Sequence, residues 1–203
     1  MKIRRIVVSD FMTNCYIYYN DNEAFIIDPG ADAPKIRAFI NEHQLKVIAI
    51  LLTHGHIDHI GAAQVLSEQY QCDIYIHCYD EKLLRDPSLN LSEQFGMRYS
   101  TNVPVKFYLK HMEINGYEMI IHHTPGHTPG SVMIEFVKDH IIFSGDTLFN
   151  HSIGRTDFPS SNYQEMMQSI AYIKTLDYDC QVLPGHNGIT TLQCEIHENP
   201  YFR

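Results

Sequence analysis

A chain of 203 residues, of which 44% are hydrophobic and 19% charged, can bury a sizeable core, and this composition excludes a disordered protein. The formal net charge of −9 at pH 7 disfavours nucleic acid and anionic membranes as partners. No apolar run reaches the roughly 20 residues that cross a bilayer, and the one near the start is shorter than a signal-peptide core of about 7–15 residues. We therefore expect a cytoplasmic protein with a single domain over residues 1–203, whose five scattered cysteines are unpaired thiols.

The first half of the chain alternates strand and helix signals. Three short β-rich segments, "KIRRIVVS", "NCYIYYN" and "EAFIIDPG", are separated by turn-forming stretches. Apolar residues at helical spacing behind Pro34 predict a helix over 33–45. The apolar run "KVIAILLT" (46–53) predicts a strand that is buried on both faces. A second helix is predicted over 60–70, and "CDIYIH" (72–77) predicts another strand.

The second half begins with a stretch of mixed signals. Residues 79–118 are mostly loop-like, with one short strand indicated in "VKFYLK", and their role stays open. Three strand-like runs follow, "EMIIHH", "SVMIEFV" and "HIIFSGD", and then a helix over 161–176, the strand "CQVLPGH" and the short helix "TTLQCEIHE". This order predicts an α+β protein in which two sheets pack face to face with helices outside, a four-layer αββα sandwich.

The densest group of potential metal ligands is the hexapeptide "HGHIDH", directly behind the predicted buried strand. His54 and His56 are separated by one residue, so their rings point to the same side of an extended segment. Asp58 and His59 lie where the chain turns into the following helix, and their side chains can face a second, neighbouring metal site. One hexapeptide can therefore begin two metal sites, with Gly55 leaving room for the backbone beside the ions. The alternative is a surface histidine cluster, but the preceding apolar run indicates a strand end that faces a cleft.

Three further candidate ligands lie at strand-to-loop junctions. His127 lies in "TPGHTPGS", Asp146 in "IIFSGDTLF" and His186 in "VLPGHNG". Two divalent ions need more ligands than the hexapeptide supplies, because zinc takes four or five ligands from His, Asp and Cys. Each of the three residues taken alone could equally be a core or loop residue, but together they can complete two sites, with the carboxylate bridging the ions.

The ordered set "HGHIDH", "TPGHTPGS", "GDTLF" and "PGHNG" resembles the metallo-β-lactamase superfamily and, within it, the short glyoxalase II-like (hydroxyacylglutathione hydrolase-like) hydrolases. This resemblance runs across nearly the whole chain and implies the αββα metallo-β-lactamase fold with a binuclear site. The implied ligands are His54, His56 and His127 for the first metal, Asp58, His59 and His186 for the second, and Asp146 as the bridge. Asp28 in "IIDPG" matches an aspartate that supports and orients the metal ligands.

The segment "SIGRTDFP" (152–159) also matches a family segment beside the site. Arg155 is therefore the candidate for binding a substrate carboxylate, since a guanidinium can hold one bidentately; a structural salt bridge or a solvated side chain is the alternative. The remaining histidines are expected in surface or loop positions, and alternation along a strand should point His122 and His123 to opposite faces. These surface or loop histidines are His43, His77, His111, His122, His140, His151 and His197.

The chemistry expected of this ligand set is hydrolysis. Two neighbouring cations lower the pKa of a bridging water, so a metal-bound hydroxide acting together with Asp58 is the expected nucleophile for a carbonyl carbon. By resemblance, the chain is a glyoxalase II-like thioesterase that cleaves a small-molecule acyl-thiol such as S-lactoylglutathione. The expected cofactors are two divalent metal ions, with Zn²⁺ as the first choice and iron or manganese as alternatives. The oligomeric state stays open.

The segment after His186 differs from that of full-length glyoxalase II, which leaves the substrate thiol open. Only 17 residues follow His186, and they supply a single basic residue, Arg203, whereas full-length glyoxalase II carries a basic C-terminal helical region. The alternatives are a persulfide dioxygenase with one iron on His54, His127 and Asp146, a metal-dependent nuclease, and a non-catalytic metal-binding module. A β-lactamase proper is disfavoured by the lack of a secretory signal. The complete second ligand set and the acidic charge favour hydrolysis.

Overall fold

The computed structural model describes all 203 residues, which form two compact units, Met1–Phe107 and Tyr108–Arg203. Each unit contains a six-stranded mixed β-sheet together with helices. None of the helices combines the length and the apolar character that crossing a lipid bilayer requires.

The first unit orders its six strands as they occur in the sequence. The strands are β1 Lys2–Val8, β2 Thr13–Tyr19, β3 Glu23–Ile27, β4 Lys46–Leu51, β5 Asp73–Ile76 and β6 Val105–Phe107. The helices are α1 Ala33–Glu42, α2 Ile57–Ile60, α3 Ala63–Tyr70 and α4 Glu81–Arg85. Strand β2 is antiparallel to its neighbours β1 and β3, whereas β3, β4, β5 and β6 are parallel to one another. Because β3, β4 and β5 run in the same direction, with helices as their crossover connections, they end at the same edge of the sheet.

The apolar pattern of the sequence accounts for these elements. The run predicted as a buried strand is β4, in which Ala49, Ile50 and Leu51 are fully buried. Helix α1 buries Ile36 and Ile40 against this core, and burial of each such side chain stabilises the fold by about 1.5–3 kcal/mol. The helix ends earlier than predicted because the chain reaches the left-handed region, with φ of 51°, at position 44.

The second unit contains eight strands and two α-helices. The strands are β7 His111–Ile114, β8 Tyr117–His123, β9 Val132–Phe136, β10 Ile141–Gly145, β11 Leu148–Phe149, β12 Ser152–Ile153, β13 Gln181–Pro184 and β14 Thr190–Thr191. The helices are α5 Tyr163–Ile173 and α6 Leu192–Glu198. The sheet order is β14-β13-β10-β9-β8-β7, in which only β10 and β13 are parallel, and β11 pairs with β12 separately. The predicted helix is α5, whose Asn162 cap accepts hydrogen bonds from two backbone amides of the first turn.

The stretch 79–118 contains more regular structure than the sequence analysis indicated. It holds the short helix α4 and the strand β7, which pairs with β8 across Asn115 and Gly116. Both turn residues have positive φ values, 52° and 80°, which suit the tight turn of a two-residue hairpin. The dipeptide Asn-Gly is therefore the signal by which this hairpin could have been predicted.

The prediction that His122 lies on the surface or in a loop is wrong. His122 belongs to β8 and is only 5% exposed, whereas His123 is exposed, as alternation along the strand requires. The His122 ring lies 2.6 Å (Nε2) from Glu135 Oε2 and 2.7 Å (Nδ1) from the Tyr172 hydroxyl, and Tyr178 donates to the same Glu135 oxygen. Burial alone raises the pKa of the Glu135 carboxyl, but the hydrogen bonds from His122 and Tyr178 outweigh it and hold this pKa below its usual value.

Candidate metal centre

The hexapeptide begins where strand β4 ends. Ile27 pairs with Leu51 in the parallel β3–β4 ladder, and the amide of Asp28 donates to the Leu51 carbonyl at 3.1 Å. Asp28 and the residues that follow β4 therefore meet at one edge of the first unit's sheet. The side chains concerned are withdrawn from solvent, since His54, His56 and His59 expose only 1%, 2% and 0% of their surface.

The side chains of the hexapeptide form one compact group. The His54 ring centroid lies 4.9 Å from that of His56 and 4.1 Å from that of His59. Asp58 joins them, with its Oδ2 atom 3.4 Å from Nε2 of His59, and Thr13 donates a hydrogen bond to the same oxygen at 3.0 Å. Three imidazoles and one carboxylate are a donor set that zinc and similar divalent cations favour.

Asp28 determines which ring nitrogens of this group carry protons. Its carboxylate can only accept, so Nδ1 of His59, at 3.0 Å, must be the protonated nitrogen. The Thr53 hydroxyl gives its single hydrogen to Asp28 at 2.6 Å, so its oxygen must accept from Nδ1 of His54 at 3.1 Å. In the neutral state both rings are thereby held as the tautomer with a lone pair on Nε2, the form that ligates a metal. The left-handed backbone of Asp28, with φ of 51°, is uncommon for a residue other than glycine and is typical of a constrained functional position.

Two local details differ from the sequence analysis. Asp58 and His59 do not precede the helix but lie within it, in the single turn of α2. Gly55 is required by packing within the protein, because a Cβ atom there would lie 2.6 Å from the Cβ of Leu83. The Gly55 amide donates at 2.9 Å to Asp80, a fully buried carboxylate that the sequence analysis did not single out. Asp80 and Thr13 were missed because each comes from a segment without a recognisable motif, and Thr53, although it directly precedes His54, was missed because its hydroxyl is not a metal ligand.

The second unit gathers its three candidate ligands at one edge of its own sheet. Asp146 follows β10 and His186 lies just beyond β13, and these two strands are parallel neighbours. His127 lies in the loop between β8 and β9, which are antiparallel to each other, and β9 is antiparallel to β10. The Asp146 Oδ2 atom lies 3.6 Å from Nε2 of His127 and 3.5 Å from Nε2 of His186. One carboxylate therefore stands between two imidazoles.

The segment around Gly154 supports this second group. A Cβ atom on Gly154 would overlap the backbone carbonyl of Asp146 and lie 3.1 Å from Nδ1 of His127, so only glycine fits. The next residue, Arg155, accepts a hydrogen bond from Nδ1 of His127 through its backbone carbonyl at 2.8 Å. A carbonyl can only accept, so His127 also presents the lone pair of Nε2, which faces Asp146.

The side chain of Arg155 makes contacts within its own segment. Its guanidinium forms a bidentate pair with Asp157, at 2.9 and 2.8 Å, and lies 4.5 Å from the centre of the Phe158 ring. The hydrogen bond to Asp157 raises the pKa of Arg155, and the same bond lowers the pKa of the Asp157 carboxyl. Both side chains are about two-thirds exposed, at 67% and 66%. The alternative named from the sequence, a structural salt bridge, matches these contacts.

An open cavity of about 790 Å³ lies in the first unit beside Asp58. Phe11, from the loop between β1 and β2, and Phe95 both line it and pack edge to face against each other, with their ring centroids 4.5 Å apart. Met97 and Ile57 add further apolar surface, and Asp10, Asp32 and Arg98 line the same cavity with charged groups. The volume is within the usual range of small-molecule sites, about 300–1,000 Å³.

Comparison with known proteins finds a family model, a relative and two solved structures that match nearly the whole chain. Residues 8–186 match the family model described as the metallo-beta-lactamase superfamily. The chain is 34% identical to the hydroxyacylglutathione hydrolase GloC of Haemophilus influenzae, over 99% of this chain and 98% of that protein. Among solved structures, it is similar to the BLEG-1 B3 metallo-beta-lactamase, with 37% identity, 99% coverage of both chains and a TM-score of 0.94. It is also similar to TTHA1623 in a di-iron-bound form, with 31% identity, coverage of 98% and 99%, and a TM-score of 0.88.

Proposed function

The chain belongs to the metallo-β-lactamase superfamily, and from this we propose that it is a binuclear, metal-dependent thioester hydrolase of the glyoxalase II-like type. The superfamily resemblance and the α+β metallo-β-lactamase fold predicted from the motifs are both confirmed. The similarity to a hydroxyacylglutathione hydrolase over the full length of both chains supports the thioester chemistry. An acyl-thiol such as S-lactoylglutathione is the proposed substrate class.

The observation that carries this proposal is the fixed orientation of the histidines. Asp28 orients His59 directly and His54 through Thr53, and the Arg155 carbonyl orients His127. Each of the three rings keeps the lone pair of Nε2 for a metal ion, which a structural histidine does not require. We assign His54, His56 and His127 to one ion, Asp58, His59 and His186 to the other, and Asp146 to both.

The chain's own residues have distinct roles in the proposed reaction. These residues would hold two divalent cations, which when bound would supply a water of lowered pKa and polarise the substrate carbonyl. Asp58 is the proposed catalytic carboxylate, because the hydrogen bond from Thr13 holds it in one orientation in which it can accept a proton from the attacking water. The cavity beside Asp58 is the proposed site for the apolar part of the substrate. The leaving thiol has an ordinary pKa of about 8.5, so it departs readily as thiolate.

Zn²⁺ is the metal we propose first, because histidine and carboxylate side chains are the ligands that hold it in catalytic sites with an open position for water. Iron is the second choice, since the 31% identical neighbour is described in a di-iron-bound form. The decisive experiment measures metal per chain together with turnover of S-lactoylglutathione. Two ions per chain, and activity that a chelator removes and Zn²⁺ restores, are expected. One iron per chain with oxygen consumption on glutathione persulfide would instead establish a dioxygenase and overturn the proposal.

A second candidate activity is hydrolysis of β-lactams. The observation in its favour is the likeness to BLEG-1, which is described as a B3 metallo-beta-lactamase and is 37% identical. The attacked bond is again a carbonyl carbon, so the same ligands would serve. Turnover of a chromogenic cephalosporin by the same preparation distinguishes the two. A kcat/KM on the cephalosporin above that on every acyl-thiol tested would make β-lactam hydrolysis the primary activity.

A further inference from the structure

A cluster of three potential metal ligands lies in the second unit and uses none of the residues assigned above. His151 follows β11, and Cys194 and Glu198 come from α6. One ligand atom from each of the three, a ring nitrogen, a thiol sulfur and a carboxylate oxygen, lies within 4.8 Å of the others. His151 Nε2 is already 3.9 Å from Glu198 Oε2. Cys194 is half-buried, and the other two are exposed.

Helix α6 and the loop after β11 hold these three residues close together. Cys194 and Glu198 are four residues apart on α6, so they lie on the same face of the helix. Glu195, a fully buried carboxylate on the adjoining helical position, accepts a hydrogen bond from the backbone amide of His151 at 2.8 Å. Thr190 and Asn199 donate to the same carboxylate, which keeps it fixed. The backbone of His151 is thereby anchored to the helix in the left-handed region, with φ of 56°.

We propose that His151, Cys194 and Glu198 bind one divalent cation of the zinc type, separate from the binuclear centre. Zinc accepts sulfur, imidazole and carboxylate ligands together, and three protein ligands plus water complete its tetrahedral shell. Two ligand atoms of one zinc ion lie about 3.5 Å apart, so the cluster closes by small rotations of exposed side chains. On binding, the thiol of Cys194 loses its proton to solvent and the sulfur–metal bond forms. Binding therefore strengthens as the pH rises.

The thiol gives this site a spectroscopic signature that the binuclear centre lacks. All seven residues assigned to that centre are histidine or aspartate, so a cation held there has no sulfur ligand. A Co²⁺ ion bound at the proposed site receives a thiolate ligand and acquires an intense sulfur-to-metal charge-transfer band in the near ultraviolet. This band reports on the cluster whatever the occupancy of the binuclear centre and whether or not the protein hydrolyses thioesters.

The experiment titrates the full-length protein with Co²⁺ after a chelating resin has removed weakly held ions. We expect a charge-transfer band whose final intensity corresponds to one thiolate-bound Co²⁺ per chain and which Zn²⁺ displaces. Cys194→Ser should abolish the band, whereas Cys78→Ser, which changes an exposed cysteine outside the cluster, should leave it unchanged. His151→Asn and Glu198→Gln should each weaken Co²⁺ binding about tenfold or more.

Three results would overturn the proposal. They are the absence of the band from the wild-type protein, its persistence in Cys194→Ser, and an unchanged Co²⁺ affinity in both His151→Asn and Glu198→Gln, which would indicate a surface thiol acting alone. Thermal unfolding followed by circular dichroism checks that each variant is folded. If Cys194→Ser is not, the His151 and Glu198 variants decide the outcome, because both change exposed side chains.

Discussion

Replacing Asp28 by asparagine tests the orientation of the histidines most directly. The substitution keeps the shape of the side chain but exchanges one acceptor oxygen for an NH₂ group that can only donate. In the protein, the carboxylate accepts three hydrogen bonds, from the Thr53 amide at 2.8 Å, the Thr53 hydroxyl at 2.6 Å and Nδ1 of His59 at 3.0 Å. Asparagine cannot accept all three. His59 can instead accept a hydrogen bond at Nδ1 from the asparagine NH₂ group. Its ring proton then moves to Nε2, the nitrogen assigned to the metal.

The expected magnitude follows from these contacts. A buried donor that loses its acceptor costs about 1–3 kcal/mol, so the metal-free Asp28→Asn protein should be destabilised by about that amount. Residues that orient a metal-bound histidine contribute about 10–100-fold to metal affinity, so we expect a loss of this size for the ion on His59. The matched control is Asp32→Asn, a neighbouring aspartate that also has a left-handed backbone, with φ of 54°, and that pairs with Lys35 instead of a histidine.

Zinc affinity is measured by competition with a chromogenic chelator, the free energy of unfolding by chemical denaturation, and the His59 tautomer by ¹⁵N NMR of the ring. Asp32→Asn should change none of the three appreciably. An Asp28→Asn protein with wild-type zinc affinity and an unchanged His59 tautomer would refute the reasoning. It would show that the ring orientations arise from packing rather than from the carboxylate.

Three further predictions concern other parts of the chain. Asp58→Ala should lower the occupancy of the second metal much more than that of the first, measured as metal per chain; equal loss of both ions, or no loss, would contradict the ligand assignment. With thioesters of increasing acyl length, kcat/KM should rise by up to about fourfold per buried methylene. Phe95→Ala should flatten this dependence. Phe107→Ala should not, because it changes a similarly exposed aromatic side chain (44% exposed, against 48% for Phe95) that lies outside the cavity. Because the folded-state pKa of Glu135 lies below its usual 4.5, its hydrogen bonds stabilise the fold above that pH and are lost as the pH falls through the lowered value. Glu135→Gln should therefore be less stable than wild type at pH 7, by about 1–3 kcal/mol, and this difference should shrink below pH 4.5; a constant difference would indicate that ionisation is irrelevant.

The amino-acid sequence by itself determined the elements that depend on local pattern. The apolar run of β4 and the hexapeptide behind it are adjacent in the chain, so a buried strand that ends in metal-seeking side chains can be predicted without knowledge of the fold. The same holds for α5, whose apolar spacing and cap are local. His127, Asp146 and His186 could also be named as candidate ligands, because each lies within a short motif that follows a predicted strand.

Only the tertiary structure decided how these side chains are oriented and which neighbours they use. Asp28 lies 25 residues before Thr53 and 31 before His59, and the carbonyl of Arg155 comes 28 residues after His127. A parallel sheet brings the first set together, and the close approach at Gly154 brings the second. The chain also uses Arg155 through its backbone, while its side chain pairs with Asp157, and no sequence pattern distinguishes these roles. The proton on each histidine is set by hydrogen bonds between distant segments, and such bonds exist only once the sheets have formed.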